Sequence, residues 1–388
     1  MFFKPIRLVL LCVLLTVGIF CRAQKITSHS WINLPTDTVL RGKVINSLNA
    51  FLAQKEKSNK NNSYASTENF LETSALLDEM KGMEQNAVLK DANYYKCYLT
   101  NIVELDPDNF IVQLSYIGLN HNTPILRASF RLMAKRVGDV FNFYSPLIKN
   151  TQTWHTQKFG DITFHYKDTL NLPDAKAYQK KVNFYDAKLK AADNPIDYYY
   201  CDNFTEVQQL LGIDYKATYN GSRNNSLTAD ENHANLVVNG DDDKHRFDPH
   251  DLWHERLRTV MNVSVINRPV DEGCAYLYGG SWGLSWEEVL VKFKQYATDH
   301  QNADWLNLYL TSANYAEGDQ SLKIAYALNA LIVQKIEREK GFGPVMELLK
   351  CGPRQKDDEN YFTALKKVTG IDKTNFNTDM WELIKAEK

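Results

Sequence analysis

The chain has 388 residues, 44% of them hydrophobic and 24% charged, which suits roughly two folded domains with sizeable cores. Its formal net charge of −2 gives neither a nucleic acid nor an anionic membrane surface a reason to attract it. Aromatic residues reach 12%, with 21 tyrosines, and no internal repeat is visible.

The first two dozen residues differ from the rest. Lys4 and Arg7 precede an apolar run from Leu8 to Phe20, and Cys21, Arg22 and Ala23 follow. A basic start, a short apolar stretch and small residues at −3 and −1 predict a secretory signal over residues 1–23, cleaved after Ala23. The run is short of the ~20 apolar residues of a membrane span, and Phe20 stands where a lipoprotein signal carries a small residue. No stable membrane span is therefore expected after cleavage, and the expected location is periplasmic or secreted. Four cysteines then remain: Cys97, Cys201, Cys274 and Cys351. An even count in an oxidising compartment permits disulfides in three connectivities. No Cys-x-x-Cys points to a zinc knuckle or a redox motif, and buried apolar thiols are the simpler reading.

Residues 39–57 place Val39, Val44, Ile45, Leu48, Phe51 and Leu52 on one helical face. A polar loop and a short helix, "NFLETSALLDEMKGM", follow. The period then shortens to that of strands in "YYKCYLTNIVELD", "NFIVQLSYIGLN" and "ILRASFRLMAKRVGDVFNFYS", with turns at 106–109, 120–124 and Gly138-Asp139. Helices followed by a meander of antiparallel strands predict an α+β domain over 24–148. That element order resembles the nuclear transport factor 2-like and cystatin-like folds, in which a curved sheet wraps a helix. The resemblance implies an accessory domain with no assigned site.

The second part, 149–388, opens with a bridging segment. A strand "DITFHYKD", an amphipathic helix at 172–192, a strand "IDYYYCDN" and a short helix "FTEVQQLLGI" come next. After a polar stretch from Tyr219 to Glu231, "HANLVVNG" reads as a further strand, and the remainder from Pro249 is mostly helical. Asp241-Asp242-Asp243 lacks the alternating ligand spacing of a calcium loop and reads as a solvated connection.

"DPHDLWHERLR" at 248–258 carries the chemistry. Asp248 and Pro249 suit the cap and first position of a helix, which places His250 and His254 one above the other on one face. Two imidazoles so placed reach a single metal ion. A third ligand is expected from "NRPVDEGCAYLYGG", where Glu272 lies near the start of a following helix. Each residue also has a plain structural reading: paired histidines occur by chance, and Asp251 and Glu272 suit first helical turns.

This second part resembles a gluzincin metallopeptidase domain, closest to the peptidase-MA-like group, whose pattern is a His-Glu-x-x-His helix followed by an "(N/S)EG-x-A-x-Y" helix. Here "HDLWH" occupies 250–254 and "DEGCAYLYGG" occupies 271–280, with Ala275 and Tyr276 in matching places. Downstream, "IAYALNALIVQKIEREKGFGPVMELLKCG" and "YFTALKKVTGIDKTNFNTDMWELI" resemble the family's helical bundle and its terminal helices. The resemblance implies a small mixed sheet followed by helices, zinc held by His250, His254 and Glu272, and a peptide or protein substrate. It further implies that Asp251 acts as general base, Tyr326 stabilises the oxyanion, and an edge strand at Leu236, Val237 and Val238 aligns the substrate by strand addition. Asp251 departs from the pattern, which carries Glu there; it keeps the charge but is one methylene shorter. A working hydrolase and an inactive peptide- or partner-binding pseudopeptidase both remain open.

Overall fold

The computed structural model describes residues 25–28, 32, 34–192, 194–221, 224–240, 247–316 and 321–387. The predicted signal at 1–23 and the acidic run at 241–243 lie outside the described residues. In chain order the first elements are β1 (Thr27–Ser28), α1 (Thr38–Gln54), α2 (Phe70–Met80), β2 (Lys96–Asp106), β3 (Asn109–Asn120), β4 (Thr123–Val137), β5 (Val140–Tyr144) and α3 (Leu147–Asn150). Then come β6 (His155–Phe159), β7 (Ile162–Tyr166), α4 (Leu172–Leu189), β8 (Ile196–Tyr200), α5 (Phe204–Leu211), β9 (Ile213–Lys216), β10 (Ser226–Glu231) and β11 (Ala234–Asn239). The last stretch holds α6 (Pro249–Val260), α7 (Arg268–Gly279), α8 (Trp286–Asp299), α9 (Trp305–Leu310), β12 (Asn314–Ala316), β13 (Leu322–Lys323), α10 (Ile324–Lys340), α11 (Gly343–Leu349), α12 (Glu359–Thr369) and α13 (Phe376–Ala386). The fold class is α+β, as the sequence predicts. Among the described residues no helix is long and apolar enough to cross a membrane.

The chain divides into two units, Met1–Gln152 with Gln208–Asn224, and Thr153–Val207 with Asn225–Lys388. In the first, Asp37 caps α1 by accepting hydrogen bonds from the Val39 and Leu40 backbone N–H groups. The helix buries Val44, Leu48, Phe51 and Leu52, and Phe51 meets Phe143 of β5 at 5.2 Å between ring centroids. Val39 leaves the expected face, 65% exposed in the first turn. Strands β2 to β5 form the predicted meander, with β1 parallel to β2. The β3–β4 hairpin turns through His121 and Asn122, both at positive φ, the backbone a tight two-residue hairpin requires. Two strands of this sheet are not legible in the sequence: β1 is two residues long, and β9 pairs antiparallel with β4 at Ala128–Phe130. β9 is only four residues long and far away in sequence, so periodicity could not assign it a partner.

In the second unit a five-stranded mixed sheet runs in the order β10-β11-β8-β7-β6. The central pairs β11–β8 and β8–β7 are parallel and the outer pairs antiparallel. Tyr178, Val182 and Tyr185 of α4 are buried in the same core as Phe164, Tyr198 and Tyr200 of the sheet. Two of its strands, β6 and β10, were read from sequence as a bridge and a polar loop. Both lie at the edges, where few side chains are buried and the alternating pattern is lost. This overturns one expectation. Leu236, Val237 and Val238 lie in β11, which is hydrogen-bonded to β10 on one side and β8 on the other, so it has no free edge to offer a substrate. The four cysteines are free thiols, with Cys97, Cys201 and Cys274 buried.

Helix α6 is tied into this core by an ion pair. Arg256, 2% exposed, donates from Nε and Nη2 to the two carboxylate oxygens of Asp186 on α4 at 2.7 and 2.9 Å. Breaking such a pair strands a desolvated charge. Replacing Asp186 by Ala is therefore expected to destabilise the second unit by about 3–5 kcal/mol in denaturant unfolding. Replacing both residues by apolar ones should recover most of that loss.

Candidate metal centre

The two histidines are presented by the first two turns of α6. Asp248 accepts the His250 backbone N–H at 2.8 Å and Pro249 occupies the first turn, so the helix starts where the sequence places it. Leu252, Trp253, Arg256 and Leu257 face the core, which turns His250 and His254 to the opposite side.

Helix α7 supplies the rest, and its glycines let it do so. A side chain at Gly273 would place its Cβ 2.5 Å from Asn329 Cβ and 2.9 Å from Ala330 N, so only glycine lets α7 lie against α10. A Cβ at Gly279 would stand 2.5 Å from the His250 N and 2.6 Å from Pro249 O. The end of α7 thus touches the start of α6 backbone to backbone. Gly280 then turns with φ +80°, and its carbonyl accepts a hydrogen bond from His250 Nδ1 at 2.7 Å. On the same helix, Asp271 accepts from His254 Nδ1 at 2.9 Å and from Trp253 Nε1 at 3.0 Å.

Those bonds set the ring chemistry. A carbonyl only accepts, so His250 carries its proton on Nδ1; the Asp271 carboxylate imposes the same tautomer on His254. Both Nε2 lone pairs then point into one space, 3.3 Å apart. Glu272 Oε2 lies 3.5 Å from His250 Nε2, and the three donors fall within 4.8 Å of one another. Three acceptors this close repel unless a cation joins them. A tetrahedral ion with ~2.0–2.1 Å bonds has donor–donor edges of ~3.3–3.4 Å, so two of the three separations, 3.3 and 3.5 Å, lie close to that geometry. The donor set, two imidazoles and a carboxylate with both rings held from behind, could hold a metal ion.

The same contacts govern the charges. Burial alone would lower the His250 pKa, but Glu272 and the Gly280 carbonyl outweigh it and raise it. Burial pushes Glu272 up, and the two histidines and Arg268 more than reverse this, leaving it below the usual range.

A cleft of about 390 Å³ opens over the cluster, within the size range of small-ligand sites. Asp251 and Tyr326 both line it, alongside His250 and Glu272. Asp251 is exposed by area, yet the surrounding protein desolvates it and Asp248 adds repulsion, and both raise its pKa. Among the described residues no hydrogen bond holds its carboxylate. Tyr326, in the first turn of α10, lies within electrostatic reach of Arg268 and stands edge-on to Tyr276, ring centroids 5.6 Å apart. A smaller cavity of about 40 Å³ also borders Asp251 and is lined by Val237, Phe247 and Glu255 among others. Burial pushes the Glu255 carboxyl up to about 7, with Asp251 adding to the rise. Leu236 and Val238 are buried and line neither cavity.

Sequence reasoning found the three donors, and the structure brings them together. It missed Asp271 and Gly280, whose roles depend on how α7 docks; the only prior signal was an acid directly before Glu272 and a double glycine after Tyr278. No protein-family model and no curated protein matches the chain, so the site is read from its own geometry.

Two outcomes are expected from variants at the centre. Asp271→Asn should weaken metal binding about tenfold to a hundredfold in a chelator-competition titration, since it can no longer accept from both Trp253 and His254 as a charged group. Gly279→Val should weaken it further by forcing α7 off α6, and circular dichroism should show the helices retained.

Proposed function

We propose that the second unit is a zinc-dependent peptide hydrolase of the gluzincin kind, working outside the cytoplasm as its basic-then-apolar N-terminal segment suggests. The observation that carries the proposal is the convergence of His250 Nε2, His254 Nε2 and a Glu272 carboxylate oxygen, with both rings held from behind through Nδ1. Bound zinc supplies Lewis acidity, polarising a substrate carbonyl and making a water molecule acidic. Asp251 takes the proton that water loses on adding to the carbonyl carbon, and delivers it to the amine nitrogen as the C–N bond breaks. Tyr326, which lines the cleft beside Glu272, donates its O–H to the carbonyl oxygen as charge develops there. Gly280 and Asp271 hold the imidazoles in their metal-binding tautomer throughout.

A second reading has its own support. The Asp251 carboxylate is one methylene shorter than glutamate and is held by no hydrogen bond among the described residues, and misplacing a base by ~1 Å costs about a hundredfold in rate. On that reading the unit keeps its cleft to bind peptides or a partner without cutting them.

Metal analysis and a mixed fluorogenic peptide library separate the possibilities. The parent protein should carry close to one zinc per chain and His254→Ala almost none; little zinc in both would remove the metal centre. Asp251→Asn should lower turnover at least about a hundredfold, while Asp251→Glu should match or exceed the parent. Turnover confined to the Asp251→Glu protein would establish the binding role instead.

A further inference from the structure

The cleft over the metal centre is electrically lopsided. On the α6 side stand Asp248 and Asp251. On the other side stand Arg268, from the start of α7, and Lys323, directly before α10. Tyr326 stands beside both cations: Arg268 lines the same cleft within its electrostatic reach, and Lys323 Nζ lies 5.6 Å from the centre of its ring. Arg268 is 77% exposed and gives its Nε–H to Glu272 at 3.3 Å. A guanidinium has five N–H donors in a planar fork, so the bond to Glu272 leaves others for a ligand in the cleft that Arg268 lines. Lys323 has no carboxylate within ion-pair reach among the described residues.

Beside them Trp282 forms an aromatic wall. It is 51% exposed, sits at φ +54°, and is steadied by a hydrogen bond from Nε1 to the Ser321 carbonyl at 3.1 Å. A large exposed aromatic held in left-handed backbone is costly, and such strain gathers at binding sites.

We propose that the cleft selects peptides bearing a carboxylate, which Arg268 and Lys323 grip beside the wall made by Trp282 and Tyr326. This rests on the peptide-hydrolase reading for the kind of molecule bound, and adds which chemical group on it is recognised. The carboxylate is either the free C-terminus or an Asp or Glu side chain. Arg268 supplies a two-pronged grip and Lys323 a point charge, while Asp248 and Asp251 repel an anion from the opposite wall.

The test uses the full zinc-loaded chain and fluorescein-labelled hexapeptides of mixed sequence in three forms. One has a free C-terminus and no acidic side chain, one is the same but amidated, and one is amidated with a single Asp or Glu. Fluorescence anisotropy is expected to show at least one carboxylate form binding about tenfold to a hundredfold tighter than the neutral amide. The tighter of the two identifies the source of the carboxylate. Lys323→Gln touches no metal donor and should erase much of the preference with zinc content unchanged; Arg268→Gln should erase more, with zinc measured alongside. Equal binding of all three forms, no binding of any, or a full preference kept by both variants overturns the inference. Cleavage is read separately on the same peptides. Preference without cleavage would leave this inference standing and remove hydrolysis, whereas cleavage without preference would remove this inference alone.

Discussion

The candidate metal centre depends on one close approach, that of the end of α7 to the beginning of α6. Gly279 lets the two backbones meet where any Cβ would stand 2.5 Å from the His250 nitrogen. From that contact the rest follows geometrically. The Gly280 carbonyl reaches His250, Asp271 one helix length back reaches His254, and Glu272 beside it faces the same space. Gly273, on the other side of α7, fixes the helix against α10 and so sets its depth. Removing a side chain at two points of one helix is what allows three donors from two helices to converge.

Helix α7 therefore serves core and site at once. Val270, Cys274 and Ala275 are buried among the helices, while Arg268, Glu272 and Tyr276 line the cleft. Asp271 lies between these faces, taking hydrogen bonds from the buried Trp253 indole and from His254. The indole bond fixes the carboxylate, and the carboxylate in turn fixes the imidazole. Packing in the core thereby orients the His254 imidazole toward the other two candidate donors. Asp251 stands outside this scheme, with neighbours that raise its pKa but none that hold it.

Long elements with strong periodicity were legible without coordinates: α1 with Val44, Leu48 and Phe51, the β2–β5 meander, α4, and α6 with its Asp248-Pro249 start. Short or exposed elements were not. β10 buries only Ala229 of its six residues, so it read as a polar loop, and that omission made β11 look like an edge. β9 is a four-residue strand whose partner Ala128–Phe130 lies some eighty positions earlier, and no local pattern encodes such a pairing.

At the site, the sequence alone determined which residue types could bind a metal. The spacing of His250 and His254 on a capped helix is a local property, because i and i+4 lie on one face wherever the helix goes. The carboxylate of Glu272 was recognisable by its place in a second helix. Only the tertiary structure decided that these three converge, which nitrogen of each ring is free, that Leu236–Val238 offer no edge, and that Arg268, Lys323 and Tyr326 face the acids of α6 across one cleft. Those outcomes rest on how separate helices and strands dock. Docking is set by backbone approach at glycines and by hydrogen bonds between distant residues, neither of which leaves a periodic trace in the chain.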